Sequence, residues 1–148
     1  MILVLLRIAF LLREFWIWMI RPVSLGVRII LVQDGEVLLV RHTYMPGWHF
    51  PGGSVNSGET TLEAAAREAR EEAGVELLEP PTLIGIFATY GGGNSDHVAT
   101  YLCRRFRRRP ATDRWEIAEC KSFPLDELPP QLSNLWSKVL RDQKLIDA

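Results

Sequence analysis

From Val27 onward, short apolar runs alternate with polar, glycine-rich breaks. Val27–Gln33 is apolar and β-branched, and Glu36–Arg41 repeats the pattern after Asp34-Gly35, a dipeptide that favours tight hairpins. The two runs predict an antiparallel pair. Both are apolar at most positions, so both faces of the hairpin are expected to be covered. Residues 43–56, rich in Gly and Pro, read as a loop. Residues 60–73 give the clearest helix: Thr60 and Glu63 form a T-x-x-E capping box, five alanines favour the conformation, and Gly74 is placed to end it left-handed. Further strands are expected over 82–90, 98–106 and 115–123, with a flexible glycine loop at 91–94 and a polar turn at 107–113. Leu132, Leu135, Trp136, Val139 and Leu140 recur at helical spacing and predict a second amphipathic helix over 131–143. Interleaved strands and helices predict an α+β fold, a mixed sheet with helices on its faces.

Residues 1–22 follow a different pattern. They are almost wholly apolar, and Arg7, Glu14 and Arg21 recur every seven positions, forming one narrow stripe on a helix with Arg13 beside it. Phe10, Phe15, Trp16 and Trp18 belong to the wide apolar remainder. Arg7, Arg13 and Glu14 fall within the run and weigh against a membrane span. No charge-then-apolar order or small-residue cleavage site marks a signal peptide. The segment is therefore expected to be an extra N-terminal apolar helix (1–22), ended by Arg21-Pro22, preceding a domain at 23–148. Its apolar girth implies packing on its own domain or in a homodimer, with peripheral contact at a membrane surface as the alternative.

The full chain has 148 residues, enough for one domain with a real core, and a net charge of −1. That balance gives no general attraction to nucleic acid, and no DNA partner is expected. Cys103 and Cys120 have neither metal-ligand spacing nor partners for a disulfide framework. They fit a reducing cytoplasm, with a membrane-peripheral location as the variant.

Chemistry enters on the first helix. Glu68, Glu71 and Glu72 stand at i, i+3 and i+4, so their side chains share one side of it. They repel each other by about 0.2–0.5 kcal/mol per pair. They also crowd the negative end of the helix dipole, which disfavours each acid by about 0.3–1 kcal/mol. A divalent cation reverses the sign of every one of these terms, and clustered carboxylate oxygens suit a hard ion. Immediately upstream, Gly52-Gly53-Ser54-Val55-Asn56-Ser57-Gly58 forms a loop whose glycines permit close backbone approach.

Residues 53–75 read G-S-V-N-S-G-E-T-T-L-E-A-A-A-R-E-A-R-E-E-A-G-V and resemble the Nudix box, G-x5-E-x7-R-E-U-x-E-E-x-G-U. Gly53, Glu59, Arg67, Glu68, Glu71, Glu72 and Gly74 fill the fixed places, and Ala69 and Val75 the apolar ones. Ala69 is smaller than usual there, which bears on packing. Chance fulfilment somewhere in the chain is on the order of 10⁻⁷, so the motif is specific. Trp48-His49-Phe50-Pro51-Gly52-Gly53 before the box and Phe123-Pro124-Leu125-Asp126-Glu127-Leu128 after it are similar to the family as well.

The resemblance implies a Nudix-like α/β/α sandwich that binds Mg²⁺ or Mn²⁺. Glu68 and Glu72 are the expected metal ligands, Glu71 a further ligand or the group that activates water, and the Gly52 carbonyl completes the set. Arg67 is expected to hold a glutamate in place, with Glu59 and Gly53 bracing the turn from loop to helix. The implied reaction is attack by metal-activated water on phosphorus in a nucleoside diphosphate linked to another group. Outside the box, Glu116 and Glu119 are candidates for an additional base or ligand. Asp96 and His97 are candidates for approaching substrate, as are Arg41 and His42 at the end of the hairpin. Trp48 and Tyr90 are candidates for stacking on a base. Arg104, Arg105, Arg107, Arg108 and Arg109 around Phe106 read chiefly as a solvated strand face and turn.

The partner is expected to be a small nucleotide-like molecule. Within the family, a proline about fifteen residues past the box suggests ADP-ribose. A tyrosine slightly further suggests dinucleoside polyphosphates; here Tyr90 stands fifteen past Val75, which tilts away from ADP-ribose and leaves sugar nucleotides, oxidised nucleoside triphosphates and capped RNA open. Two other readings remain: a non-catalytic Nudix-fold binding module, disfavoured by the complete box, and a membrane-associated hydrolase of a lipid-linked diphosphate.

Overall fold

Asp34 and Gly35, with φ of 54° and 78°, turn the chain between β1 (Val23–Gln33) and β2 (Glu36–His42) as the Asp-Gly signal predicts. The structure is a computed structural model describing residues 23–91, 94–110, 115–132 and 134–145, together with residues 11, 12, 15, 16 and 19. The remaining strands are β3 (Val75–Leu77), β4 (Thr82–Gly91), β5 (Asn94–Cys103), β6 (Phe106–Arg108) and β7 (Ile117–Pro124). The helices are α1 (Thr61–Ala73) and α2 (Asn134–Asp142). One sheet runs β4-β5-β1-β2-β7, with β1 and β5 parallel and the other neighbours antiparallel, while β3 and β6 form a separate two-stranded ribbon.

Period-two alternation along β1 separates two cores, one on each face, as expected for strands apolar on both sides. Val27, Ile29 and Leu31, with Leu38 and Val40 of β2, pack against Ala64, Ala65, Ala69 and Ala73 of α1. Ile30 and Val32, with Val37 and Leu39, face Phe50 and the Trp136, Val139 and Leu140 stripe of α2. The alanines of α1 include the small Ala69, which is fully buried. Their low bulk lets the helix backbone lie close to the sheet.

Three expectations need correction. Asp96 and His97, expected ahead of a strand beginning at 98, lie inside β5, which pairs in parallel with β1 from Val23↔Ser95 to Leu31↔Cys103. Gly92 and Gly93 of the expected flexible loop lie outside the described residues, while Gly91 and Asn94 pair across the strand ends. The run expected as one strand to Phe106 breaks after Cys103, and Arg107 and Arg108, read as a turn, belong to β6. The expected N-terminal helix falls almost wholly outside the described residues. Leu11, Leu12, Phe15, Trp16 and Met19 are helical and exposed. No helix among the described residues is long and apolar enough to cross a membrane.

The β3–β6 ribbon is tied by charge. Arg107 Nε donates to Glu76 Oε2 at 2.9 Å, and Arg109 Nε donates to the same oxygen. The two guanidiniums, Arg107 first, hold the Glu76 carboxyl at about 2, below its ordinary 4.5. A depressed folded-state value stabilises the fold above the ordinary carboxylate range, and the contribution is lost as pH falls from 4.5 toward 2. Because the pair is exposed, the effect is small. In thermal melts between pH 7 and pH 2.5, the gap between the wild type and Glu76→Gln is expected to close below pH 4.5. A gap independent of pH would assign the ribbon's stability to packing.

Candidate active site between splayed strands

The hairpin pairs tightly only near its turn, from Gln33↔Glu36 to Leu31↔Leu38. Beyond that point the glycine-rich loop lies between its strands. On one side Val40 exchanges backbone hydrogen bonds with His49, both at 2.9 Å. On the other, Ile29 N donates to Pro51 O at 2.9 Å and Val27 N to Gly53 O at 2.8 Å. The loop thus borrows β1 as a strand partner, and the approach is close enough to exclude side chains. A Cβ on Gly52 would stand 2.1 Å from the Val27 carbonyl oxygen, and one on Gly53 would stand 2.6 Å from Glu68 Oε1.

The helix that follows is fixed at both ends. The Thr60 hydroxyl accepts from Glu63 N at 3.2 Å, and the Glu63 carboxylate accepts from Thr60 N at 2.8 Å. Gly74, with φ 59° and ψ 48°, closes the other end. With its phase set, α1 buries Glu68 and Glu72 on the same stripe as its alanines, 8% and 5% exposed. Glu72 Oε2 accepts from Gly52 N at 2.9 Å, and its Oε1 is 3.8 Å from His42 Nδ1. Burial raises the Glu68 carboxyl above its ordinary range, outweighing the opposing pull of Arg67.

Arg67 organises the acids. Its Nε donates to Glu59 Oε1 at 2.8 Å, Nη1 to Glu68 at 2.7 Å and to Glu71 at 3.2 Å, and Nη2 to Glu59 Oε2 and the Ser54 carbonyl, both at 3.0 Å. Its pKa is raised, chiefly by the hydrogen bonds to Glu59, and that pairing lowers Glu59 in turn. Glu59 also accepts from Asn56 N at 3.0 Å, tying the loop to the helix.

The donor chemistry fits a hard divalent cation: two buried carboxylates reach the glycine loop from one helix face. Among the described residues, however, no three Asp, Glu, His or Cys side chains are gathered as a closed metal cage. Arg67 and the Gly52 N–H engage the carboxylates instead, with Glu71 on the more open side, its side chain 41% exposed. The Gly52 carbonyl accepts from Arg28 Nη1 at 2.8 Å.

Two clefts flank this centre. One, of about 600 Å³, is lined by Ser24, Leu25, Arg28, Gly53, Asp96 and Trp136. The other, of about 700 Å³, is lined by Arg41, His42, Tyr44, Trp48, Glu119 and Gln131. The second gathers several sequence candidates: Arg41 pairs with Glu119 at 2.8 Å and lies over the Trp48 ring, 5.8 Å from its centroid. Trp48 also stacks edge-on against Phe123, at 4.8 Å. Glu116 approaches through its backbone, whose carbonyl accepts from Thr43 N at 2.8 Å. Tyr90 sits on β4 at the opposite edge of the sheet, away from these groups. Asp96 reaches the first cleft, where it accepts a hydrogen bond from Ser24 Oγ. His97, its β5 neighbour, has a buried Nδ1 without a hydrogen-bond partner among the described residues. Arg28 was not among the sequence candidates; its only signal is one charge within an apolar strand.

The chain belongs to the Nudix family: the NUDIX domain family model matches residues 21–145. Nudix enzymes generally use divalent metals such as Mg²⁺. An RNA pyrophosphohydrolase of Xanthomonas oryzae is 44% identical over 65 residues, a stretch covering 44% of this chain. That alignment spans only 30% of the Xanthomonas protein's length. Among solved structures, a MutT NUDIX hydrolase from Burkholderia pseudomallei superimposes with a TM-score of 0.72 at 26% identity, over 82% of this chain and 98% of that one. A Bacillus subtilis pyrophosphohydrolase shares the fold with a TM-score of 0.65 at 23% identity, over 82% of this chain and 81% of its own.

Proposed function

We propose that this chain is a divalent-metal-dependent hydrolase that cleaves the diphosphate linkage of a nucleoside diphosphate joined to another group, with water attacking phosphorus. The observation that carries the reading is the pair of buried carboxylates, Glu68 and Glu72, brought against a glycine loop between two clefts. Arg67 and the Gly52 N–H offset part of the cost of burying two like charges together, and a cation would offset more of it. The residues that would hold Mg²⁺ or Mn²⁺ are Glu68 and Glu72, with Glu71 and the Gly52 carbonyl as further oxygens. A bound cation supplies charge neutralisation at the phosphate oxygens and lowers the pKa of water.

The chain's own residues do the rest. Arg67 sets the direction of three carboxylates at once, so its fork is a positioning device. Glu71, the most exposed of the box's three C-terminal acids, would accept the proton of the attacking water, a role its exposure supports. Glu59 and the two glycines hold the loop against helix and strand. The clefts on either side suit the two groups joined by a diphosphate, with Trp48 and Arg41 offering a stacked, cationic wall in one. The name of the Xanthomonas relative supports including RNA bearing a terminal phosphoanhydride among the candidate substrates.

Hydrolysis is best tested by product release with and without Mg²⁺ across nucleoside triphosphates, ADP-ribose, sugar nucleotides, dinucleoside polyphosphates and 5′-triphosphorylated RNA. Metal-dependent cleavage of one class is expected. Folded protein that binds a panel member and cleaves none would favour a binding module.

A further inference from the structure

β1 carries one cation on the face that holds its buried Ile30 and Val32. Arg28 precedes Ile30 and Val32 on the side of the sheet facing α2. Its Nη1 donates to two loop carbonyls, Phe50 O at 3.1 Å and Gly52 O at 2.8 Å. Its Nε and Nη2 find no acceptor among the described residues. A guanidinium has five N–H donors, so roughly three are left for something else. The group lines the first cleft. It also lies close enough to Glu72 and Glu68 to feel their charges. Arg28 therefore stands in the first cleft and beside the acids, since its Nη1 and Glu72 Oε2 both engage Gly52.

A neutral donor would staple the loop equally well, without the cost of taking a charge out of water. Neither Glu68 nor Glu72 hydrogen-bonds to Arg28, so the charge is not matched by direct contact. Two things would match it: a planar fork suits paired phosphate oxygens, and the acids nearby are the proposed metal ligands. Arg28 and a divalent ion would also share the Gly52 carbonyl, and two cations at one oxygen oppose each other.

Resting on the hydrolase reading above, we propose that Arg28 is the diphosphate-binding cation of this site and that, without substrate, it competes with the divalent ion for the Gly52 carbonyl. The substrate's anionic oxygens then reconcile the two cations by lying between them. Metal and diphosphate are coupled through a side chain outside the Nudix box.

The proposal predicts opposite signs for two affinities. In Arg28→Gln, Mn²⁺ titrated calorimetrically into the free protein binds at least about fivefold more tightly, in the range usual for coupled sites. With saturating Mg²⁺, KM for the cleaved substrate, or Kd for methylenediphosphonate, rises about tenfold or more. A residue that only stapled the loop would weaken both. Arg28→Lys guards against a folding failure of the glutamine variant: it keeps the cation, so Mn²⁺ affinity stays near wild type while phosphate binding still weakens for want of the fork. Equal or weaker Mn²⁺ binding in Arg28→Gln overturns the competition, and unchanged phosphate affinity overturns the clamp. Absence of Mn²⁺ binding in the wild type would sink the hydrolase reading itself, an outcome distinct from either.

Discussion

Glu72→Gln is expected to leave a folded protein without measurable turnover. The substitution keeps shape and an acceptor oxygen, so the Gly52 N–H that now reaches Glu72 Oε2 at 2.9 Å retains a partner. It removes a charge from a position only 5% exposed and close to a second buried acid, Glu68, 8% exposed. Without metal, the variant should melt at the wild-type temperature or above it, because burying an amide costs less than burying a carboxylate. With metal the balance reverses. Losing an outer group of a metal site typically costs about 10–100-fold, and losing a carboxylate expected to touch the ion should cost at least about 1,000-fold in kcat/KM. Steady-state kinetics and thermal melts, each with and without Mg²⁺, measure both halves. Turnover within a few-fold of wild type would remove Glu72 from the chemistry. Lost turnover with a collapsed melting temperature would make its role structural.

The acids were legible because their signal is local: helix phase converts i, i+3 and i+4 directly into one side of α1, and the Thr60 cap and Gly74 stop fix that phase. The Asp34-Gly35 turn was readable for the same reason. What was not readable depends on distant partners. Val75–Leu77 is too short to show alternation. In its mate, Phe106–Arg108, the last two residues looked like a turn, because the acid that pairs with Arg107 and the adjoining Arg109, Glu76, lies some thirty positions away. Asp96 and His97 looked like loop residues behind a glycine run, yet parallel pairing with β1 draws them into a strand. The splay of β1 from β2 is likewise invisible locally, although it is what admits the loop. Arg28 was overlooked because period-two reading of an apolar strand treats one charge as noise. His42 was legible as a substrate candidate at the hairpin's end but not as a neighbour of Glu72, beside which the structure places it.

The paired glycines separate folding from chemistry. Both belong to the same turn, yet they meet different obstacles. A methyl group on Gly52 would lie 2.1 Å from the Val27 carbonyl oxygen and 2.9 Å from Arg28 Cα, both backbone atoms of a central strand. Neither can yield without parting the loop from β1, and with it the bonds of Val27 to Gly53 and Ile29 to Pro51. Gly52→Ala is therefore expected to cost about 3 kcal/mol, at the upper end for overpacking. For a chain of this length that lowers the melting temperature by roughly 10 °C. A methyl group on Gly53 would meet Glu68 Oε1 at 2.6 Å, the free end of a side chain that can rotate away. Gly53→Ala should thus melt within a few degrees of wild type. Its damage should appear as metal affinity weakened by about 10–100-fold, because Glu68 no longer points at the loop. Melting curves and Mn²⁺ titrations on both variants make the comparison. If Gly53→Ala melted as early as Gly52→Ala, Glu68 would be a fixed part of the packing and not a ligand free to adjust.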